Sequence, residues 1–168
     1  VNPEAILKHK GIIANPNCST IIMLMALKPI YDLARIKRII VSTYQAVSGA
    51  GKEGIDELTN QVGEYLDGKE MTANILPSAS AEKHYPIAFN LIPQIDVFCD
   101  NLYTKEEMKM VNETRKILDD YDMRITATTI RVPVYRSHSE SVNIELEKDL
   151  SLEEIKKALA AFPGVIVQ

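Results

Sequence analysis

Two runs, RITATTIRVPVY (residues 124–135) and SESVNIELE (residues 139–147), constrain the architecture more than any other feature of the chain. Both alternate apolar or β-branched residues with polar ones, the period of a half-buried strand. Only a short polar link separates them. Adjacent alternating strands imply a sheet with an antiparallel part, so a purely parallel, doubly covered sheet is excluded.

The rest of the chain supplies helices around that sheet. CSTIIMLMALKPIYDLA (18–34) has helical spacing and few polar positions, which predicts a largely buried helix with Pro29 near its end as a point of kinking. RIKRIIVSTYQAVSG (35–49) reads as a strand. KEGIDELTNQVGEYLDG (52–68) reads as an amphipathic helix closed by Gly68. Residues 69–90 carry Pro77 and Pro86 and no clear period, so a long loop with at most one short strand is expected. QIDVFC (94–99) is read as a strand. Thr104 followed by Glu107 marks a capping box opening KEEMKMVNETRKILDDY, and Ser151 with Glu154 repeats the signature before LEEIKKALAAF. Pro163 and Gly164 stop that helix. GIIAN (11–15) and VIVQ (165–168) are read as a first and a last strand. The fold expected is α+β: a mixed, partly antiparallel sheet with helices on one face and the other face left to meet a partner.

Composition narrows the function classes. With 168 residues, 46% hydrophobic and 25% charged, the chain has the balance of a globular domain with a real core. A net charge of -4 argues against a nucleic-acid binder, which needs a basic face. No apolar run is long enough to span a bilayer. Two distant cysteines, Cys18 and Cys99, make no disulfide framework, so a cytoplasmic location is expected. The histidines, His9, His84 and His138, lack metal-ligand spacing, and no metal site is expected. The start, VNPEAILKHKG, lacks both an initiator Met and a signal-peptide core, which suggests a segment of a longer protein.

One glycine motif is misleading. GAGKEG (49–54) fits G-x-G-x-x-G between a strand and a helix. The dinucleotide fingerprint also needs a second buried strand ending in an acidic residue, and here the helix runs into polar DGKEMTANILPSAS, with Asp67 at a helix end. The simpler reading is a glycine loop that lets backbone approach a neighbour or a ligand.

NPNCST (15–20) places Cys18 at the first position of a helix. Unpaired N–H groups and roughly half a positive charge favour thiolate there, lowering a thiol pKa from ~8.5. Asn17 is a candidate oxyanion donor. The plainer reading makes Cys18 a small core residue. RVPVYRSHSES (131–141) puts His138, a candidate acid or base, in a polar setting with Arg131 seven residues earlier; the plainer reading is a surface histidine in a turn.

Together, GIIANPNCST, STYQAVSGAGKEG, YTKEEMKM and RVPVYRSHSES resemble aspartate-semialdehyde dehydrogenase in order and spacing through nearly the whole chain. The resemblance implies the C-terminal-domain fold shared with glyceraldehyde-3-phosphate dehydrogenase, over residues 1–168, without the family's N-terminal nucleotide-binding domain and its C-terminal end. It implies Cys18 as the acyl-thioester nucleophile, His138 as acid/base, and Gln45 and Asn17 near the reacting carbonyl. Arg131 would bind the substrate α-carboxylate, Glu106 the α-ammonium, and Lys109 the phosphate. Ser48 and Gly49 would line the nicotinamide end of an NADP pocket. The implied reaction converts L-4-aspartyl phosphate to L-aspartate 4-semialdehyde and phosphate with NADPH, a step toward lysine, threonine, methionine and diaminopimelate. A homodimer is expected, and no turnover from this chain alone. Without the resemblance, Glu106 and Lys109 read as a solvated pair and Gln45 as a polar strand end. N-acetyl-γ-glutamyl-phosphate reductase is a second reading with the same thioester logic, and a non-catalytic dimerisation module is a third.

Overall fold

The computed structural model describes residues 1–168, which divide into two compact units. The first comprises residues 1–41, 109–126 and 142–168, and the second residues 42–108 and 127–141. Four α-helices and three strands run in the order α1 (Cys18–Ala34), β1 (Ile36–Gln45), α2 (Gly51–Leu66), α3 (Lys105–Leu118), β2 (Arg124–Arg131), β3 (Ser139–Leu146) and α4 (Leu152–Ala161). Short 3-10 turns cover Pro3–Lys8 and Val47–Ala50. The strands pair in the order β2-β1-β3. Val132 donates to the Gln45 carbonyl and Val47 to that of Val134, so β1 and β2 run parallel. Glu147 donates to the Ala34 and Arg35 carbonyls while His138 lies against Ala46, so β3 runs antiparallel to β1. The sheet is mixed, and the class is α+β as expected. No helix is long and apolar enough to cross a membrane.

The first unit is built on α1. Met23, Leu24, Leu27, Ile30 and Ala34 are buried with Ile36, Ile39 and Val41 of β1 and Met110, Val111 and Met123. Each full burial of a Leu, Ile or Met contributes about 1.5–3 kcal/mol. The helix is not buried all round: Ile21, Ile22 and Leu33 are exposed on its other side. It also runs through Pro29 to Ala34. Tyr31 and Arg35 both donate to the buried carboxylate of Asp120, at 2.8 and 3.0 Å. These two bonds and the Arg35 charge hold the Asp120 pKa below its usual range against the opposing effect of burial.

In the second unit, α2 packs on a core of Val47, Leu58, Leu76, Ile87, Ala88 and Ile92. The long stretch after α2 stays irregular, and α2 side chains hold it. Glu57 accepts from the N–H groups of Asn74, Ile75 and Leu76 at 2.7, 2.8 and 3.0 Å. Gln61 accepts from Ile87 and Ala88 and donates to the Thr72 carbonyl. An irregular segment can be buried only when its backbone is satisfied in this way. Gly54 allows close packing, since a Cβ there would stand 2.6 Å from the Val47 carbonyl oxygen.

Both capping boxes form. Thr104 N–H donates to Glu107 at 2.7 Å, and Glu107 N–H donates back to the Thr104 hydroxyl at 3.3 Å. Ser151 and Glu154 do the same at the start of α4. Three expected strands are absent. GIIAN lies in an exposed, irregular segment, Gly11 at φ +107°, with Ile12 87% exposed. QIDVFC is broken by Asp96 at φ 70° and keeps only an isolated bridge from Phe98 to Thr104. VIVQ begins in a turn, Val165 donating to the Phe162 carbonyl, and Ile166 is exposed. GIIAN and VIVQ find no neighbouring edge, and a strand's backbone needs one; QIDVFC pairs with residues 103–105, but its kink at Asp96 limits the pairing to that bridge.

Candidate active site

In the first unit, Cys18 opens α1 and is exposed, which removes the reading of it as a core residue. The Asn17 side-chain oxygen accepts from Ser19 N–H at 3.0 Å and Thr20 N–H at 3.2 Å, a standard N-cap. The Asn17 N–H donates to the Glu113 carboxylate at 2.7 Å. That backbone donor is therefore committed, and any oxyanion contact from Asn17 falls to its side-chain amide. This narrows the expected role.

The second unit gathers Gln45, Glu106, Arg131, His138 and Gly49. Gln45 ends β1, is 1% exposed, accepts from the Thr43 hydroxyl at 3.0 Å and donates to Glu106 at 3.1 Å. Glu106 is buried in the first turn of α3, so it is not a solvated surface residue. Arg131 ends β2 and is 2% exposed; its Nε donates to the Pro77 carbonyl at 3.0 Å and its Nη1 to that of Ala46 at 2.8 Å. Because Nε has a single hydrogen, a carboxylate ligand would be met end-on by the Nη groups.

His138 is half-buried and follows Ser137, whose φ of 72° lies in the left-handed region. Its Nδ1 accepts the Ala46 N–H at 3.0 Å. The neutral ring therefore carries its proton on Nε2, where it serves as a donor. Burial lowers the His138 pKa, the Arg131 charge lowers it further, and Glu106 opposes both. A pKa held below its ordinary value favours the neutral ring.

Gly49 lies in the turn Val47–Ala50 with a φ outside the left-handed region. A Cβ there would stand 2.7 Å from Arg131 Nη1 and 3.4 and 3.5 Å from two His138 ring atoms. Its small size is thus used by packing against Arg131 and His138. Ser48 is half-exposed, and its N–H donates to the Tyr135 carbonyl at 3.2 Å. Gly49 itself is exposed, so these two residues fit the edge of a cofactor site and no more. Lys109 is exposed on α3, three residues after Glu106.

Sequence reasoning missed two participants. Ala46 holds His138 through its N–H and Arg131 through its carbonyl, and a backbone role leaves no side-chain signature. Glu113 reaches Asn17 across 96 positions of sequence, with no motif to announce it.

Residues 27–168 match the family model described as "Semialdehyde dehydrogenase, dimerisation domain". The chain is 56% identical to aspartate-semialdehyde dehydrogenase of Aquifex aeolicus, over 99% of its own length and 48% of that protein's. It is 52% identical to that of Bacillus subtilis, over 100% and 49%. Among solved structures it is similar to aspartate semialdehyde dehydrogenase II of Vibrio cholerae complexed with ASA, at 51% identity and TM-score 0.90, covering 98% of this chain and 47% of that one. The Francisella tularensis enzyme is similar at 29% identity and TM-score 0.73, over 88% and 44%. The chain thus spans about half the length of the curated relatives it matches. The fold is that of these enzymes' glyceraldehyde-3-phosphate-dehydrogenase-like C-terminal domain. The chain belongs to the semialdehyde dehydrogenase family, through that family's dimerisation domain.

Proposed function

We propose that residues 1–168 form the catalytic and dimer-forming part of an enzyme that reduces L-4-aspartyl phosphate to L-aspartate 4-semialdehyde. The rest of the relatives' length would supply the nucleotide-binding part. One observation carries this reading: buried Arg131 and buried Glu106 stand with the His138 imidazole in one cluster. Buried charges are costly unless paired or put to use. A free amino acid carries one carboxylate and one ammonium, the charges that Arg131 and Glu106 complement. The ligand ASA in the Vibrio cholerae structure supports the same substrate class.

In this mechanism the Cys18 thiolate forms a C–S bond to the acyl carbon, and the C–O bond to phosphate breaks with its electron pair leaving on phosphate. A thioester remains on Cys18. Lys109 draws the departing phosphate. His138 Nε2–H, the donor position of the resting ring, hydrogen-bonds the departing phosphate, which leaves as an anion and takes no proton from the ring. The Asn17 side-chain amide would steady the oxyanion, since the Ser19 and Thr20 N–H groups already cap the helix through Asn17. Ser48 and Gly49 would border the nicotinamide end of a bound NADPH, which would supply a hydride to the acyl carbon; the C–S bond then breaks, its electron pair returns to the Cys18 sulfur, and the aldehyde is released. Gln45, pinned between Thr43 and Glu106, orients the substrate carbonyl.

Two other readings are weaker. N-acetyl-γ-glutamyl-phosphate reductase acts on an acylated amine, for which the buried Glu106 carboxylate would be a poor neighbour. A purely structural module would account for Arg131 through its bonds to the Pro77 and Ala46 carbonyls, but it gives no reason for an exposed cysteine at the first position of α1. The test is a chimera: this chain replaces the matching half of the Bacillus subtilis enzyme, and NADPH oxidation with aspartyl phosphate is followed. Turnover that Cys18→Ala abolishes is expected. A folded chimera without turnover, or one that prefers the N-acetylated substrate, refutes the assignment. Sedimentation of the chain at high concentration is expected to show dimer; monomer alone would refute that part.

A further inference from the structure

Glu113 has no part in the mechanism above, yet from a distant element it reaches the residue that immediately precedes the nucleophile. Its Oε2 accepts the Asn17 N–H at 2.7 Å, and both residues belong to the first unit. Asn17 in turn caps α1 through Ser19 and Thr20. Asn17 is thereby held at both ends, by Glu113 on its backbone and by the helix on its side chain.

That hold matters because the approach to Cys18 has no regular structure to fix it. Residues 9–17 have no regular structure, and residues 9–15 are exposed. Glu113, by contrast, sits on a well-anchored helix. The capping box fixes the first turn of α3, and Met110, Val111 and Thr114 are buried around Glu113. It is also seven residues after Glu106, two helical turns along the same face, or about 10 Å. One helix therefore carries Glu106, Lys109 and Glu113.

We propose that Glu113 is a positioning residue: by gripping the Asn17 N–H, it holds the start of α1 in the geometry that presents the Cys18 thiolate. This rests on the reading of Cys18 as the nucleophile. The contact acts through its hydrogen bond and not through its charge. A carboxylate near a thiolate opposes ionisation, so its charge alone would work against the nucleophile.

The test is the rate of iodoacetamide alkylation at Cys18 against pH, with Cys99 as internal reference, in wild type, Glu113→Gln and Glu113→Ala. Glutamine keeps an acceptor oxygen and removes the charge. It is expected to label at least as fast as wild type, with the midpoint unchanged or lower. Alanine removes the acceptor. It is expected to label about tenfold more slowly, the order for one lost charge-assisted hydrogen bond, with a higher midpoint. Amide exchange at Asn17 should speed up in the alanine variant and not in the glutamine variant. Should alanine unfold the chain, Glu113→Met keeps the volume without a comparable acceptor and reads the same rate. Equal labelling in wild type and alanine overturns the proposal and leaves the nucleophile intact. Equal slowing in glutamine and alanine also overturns it, because charge would then be the cause. Wild-type Cys18 no faster than Cys99 overturns both the proposal and the reading on which it rests.

Discussion

Gly49→Ala isolates the contact between the turn and its two neighbours, Arg131 and His138. Gly49 does not need a left-handed backbone, so alanine brings no conformational penalty. If the new methyl met open space, the substitution would stabilise the chain by about 0.4–1 kcal/mol through the unfolded state. The structure places that methyl 2.7 Å from Arg131 Nη1, well inside contact distance. An arginine tip usually swings away cheaply. This one is tied by Nε to Pro77 and by Nη1 to Ala46, and it is 2% exposed. Moving it breaks a charge-assisted bond to a buried carbonyl, costing about 1.5–3 kcal/mol, and overpacking costs about 1–3 kcal/mol by a separate route. These are alternative ways of relaxing one clash, so they do not add. The expected result is a loss of about 1–3 kcal/mol in urea unfolding. A second readout follows the histidine. Displacing Arg131 removes a charge that lowers the His138 pKa, so the ring should titrate higher in the variant by NMR. A variant more stable than wild type, with His138 titrating unchanged, would refute the packing argument.

Glu57→Ala leaves the N–H groups of Asn74, Ile75 and Leu76 without their acceptor, at an expected cost of about 3–5 kcal/mol, and trypsin should cut faster at Lys69 and Lys83; unchanged cutting and stability would contradict the latch. Glu140 has both carboxylate oxygens buried without a hydrogen-bond partner, and burial raises its pKa to about 7 from 4.5. The folded chain thus holds the proton more tightly than the unfolded one. The stability this adds is fully present below about pH 4.5 and is lost as pH rises through about 7, amounting to about 1–2 kcal/mol after solvent screening. Glu140→Gln should flatten that slope and exceed wild type at pH 8 but not at pH 4, as read by chemical unfolding; parallel slopes would count against it. Thr104→Ala removes one side of the α3 capping box and should cost about 1 kcal/mol, read by the same unfolding experiment.

Local patterns survived where the chain could satisfy them alone. The capping boxes at Thr104 and Ser151 formed because each partner lies three residues away. The helix from Gly51 ends before Gly68, which takes φ 70° as a helix-closing glycine does. The strands at Ile36–Gln45, Arg124–Arg131 and Ser139–Leu146 match their alternation. GIIAN and VIVQ failed because a strand is a property of two backbone segments and apolar content does not provide the second, and QIDVFC because the left-handed backbone at Asp96 breaks its extension.

The candidate site divides in the same way. Cys18 at a helix start could be read directly, since helix position is set by local spacing and a cap. So could the identities of His138 and Arg131, as residue types suited to proton transfer and carboxylate binding. Sequence could not show that Glu106 is buried against Gln45, 61 positions away, or that the Ala46 backbone holds both His138 and Arg131. Nor could it show that Glu113 takes the Asn17 N–H. Helix capping and strand period are short-range and repeat within a few residues, so the amino-acid order determines them. Burial, tautomer and the partner of a backbone N–H depend on which distant segments the fold brings into contact, and that was decided only when the chain was packed.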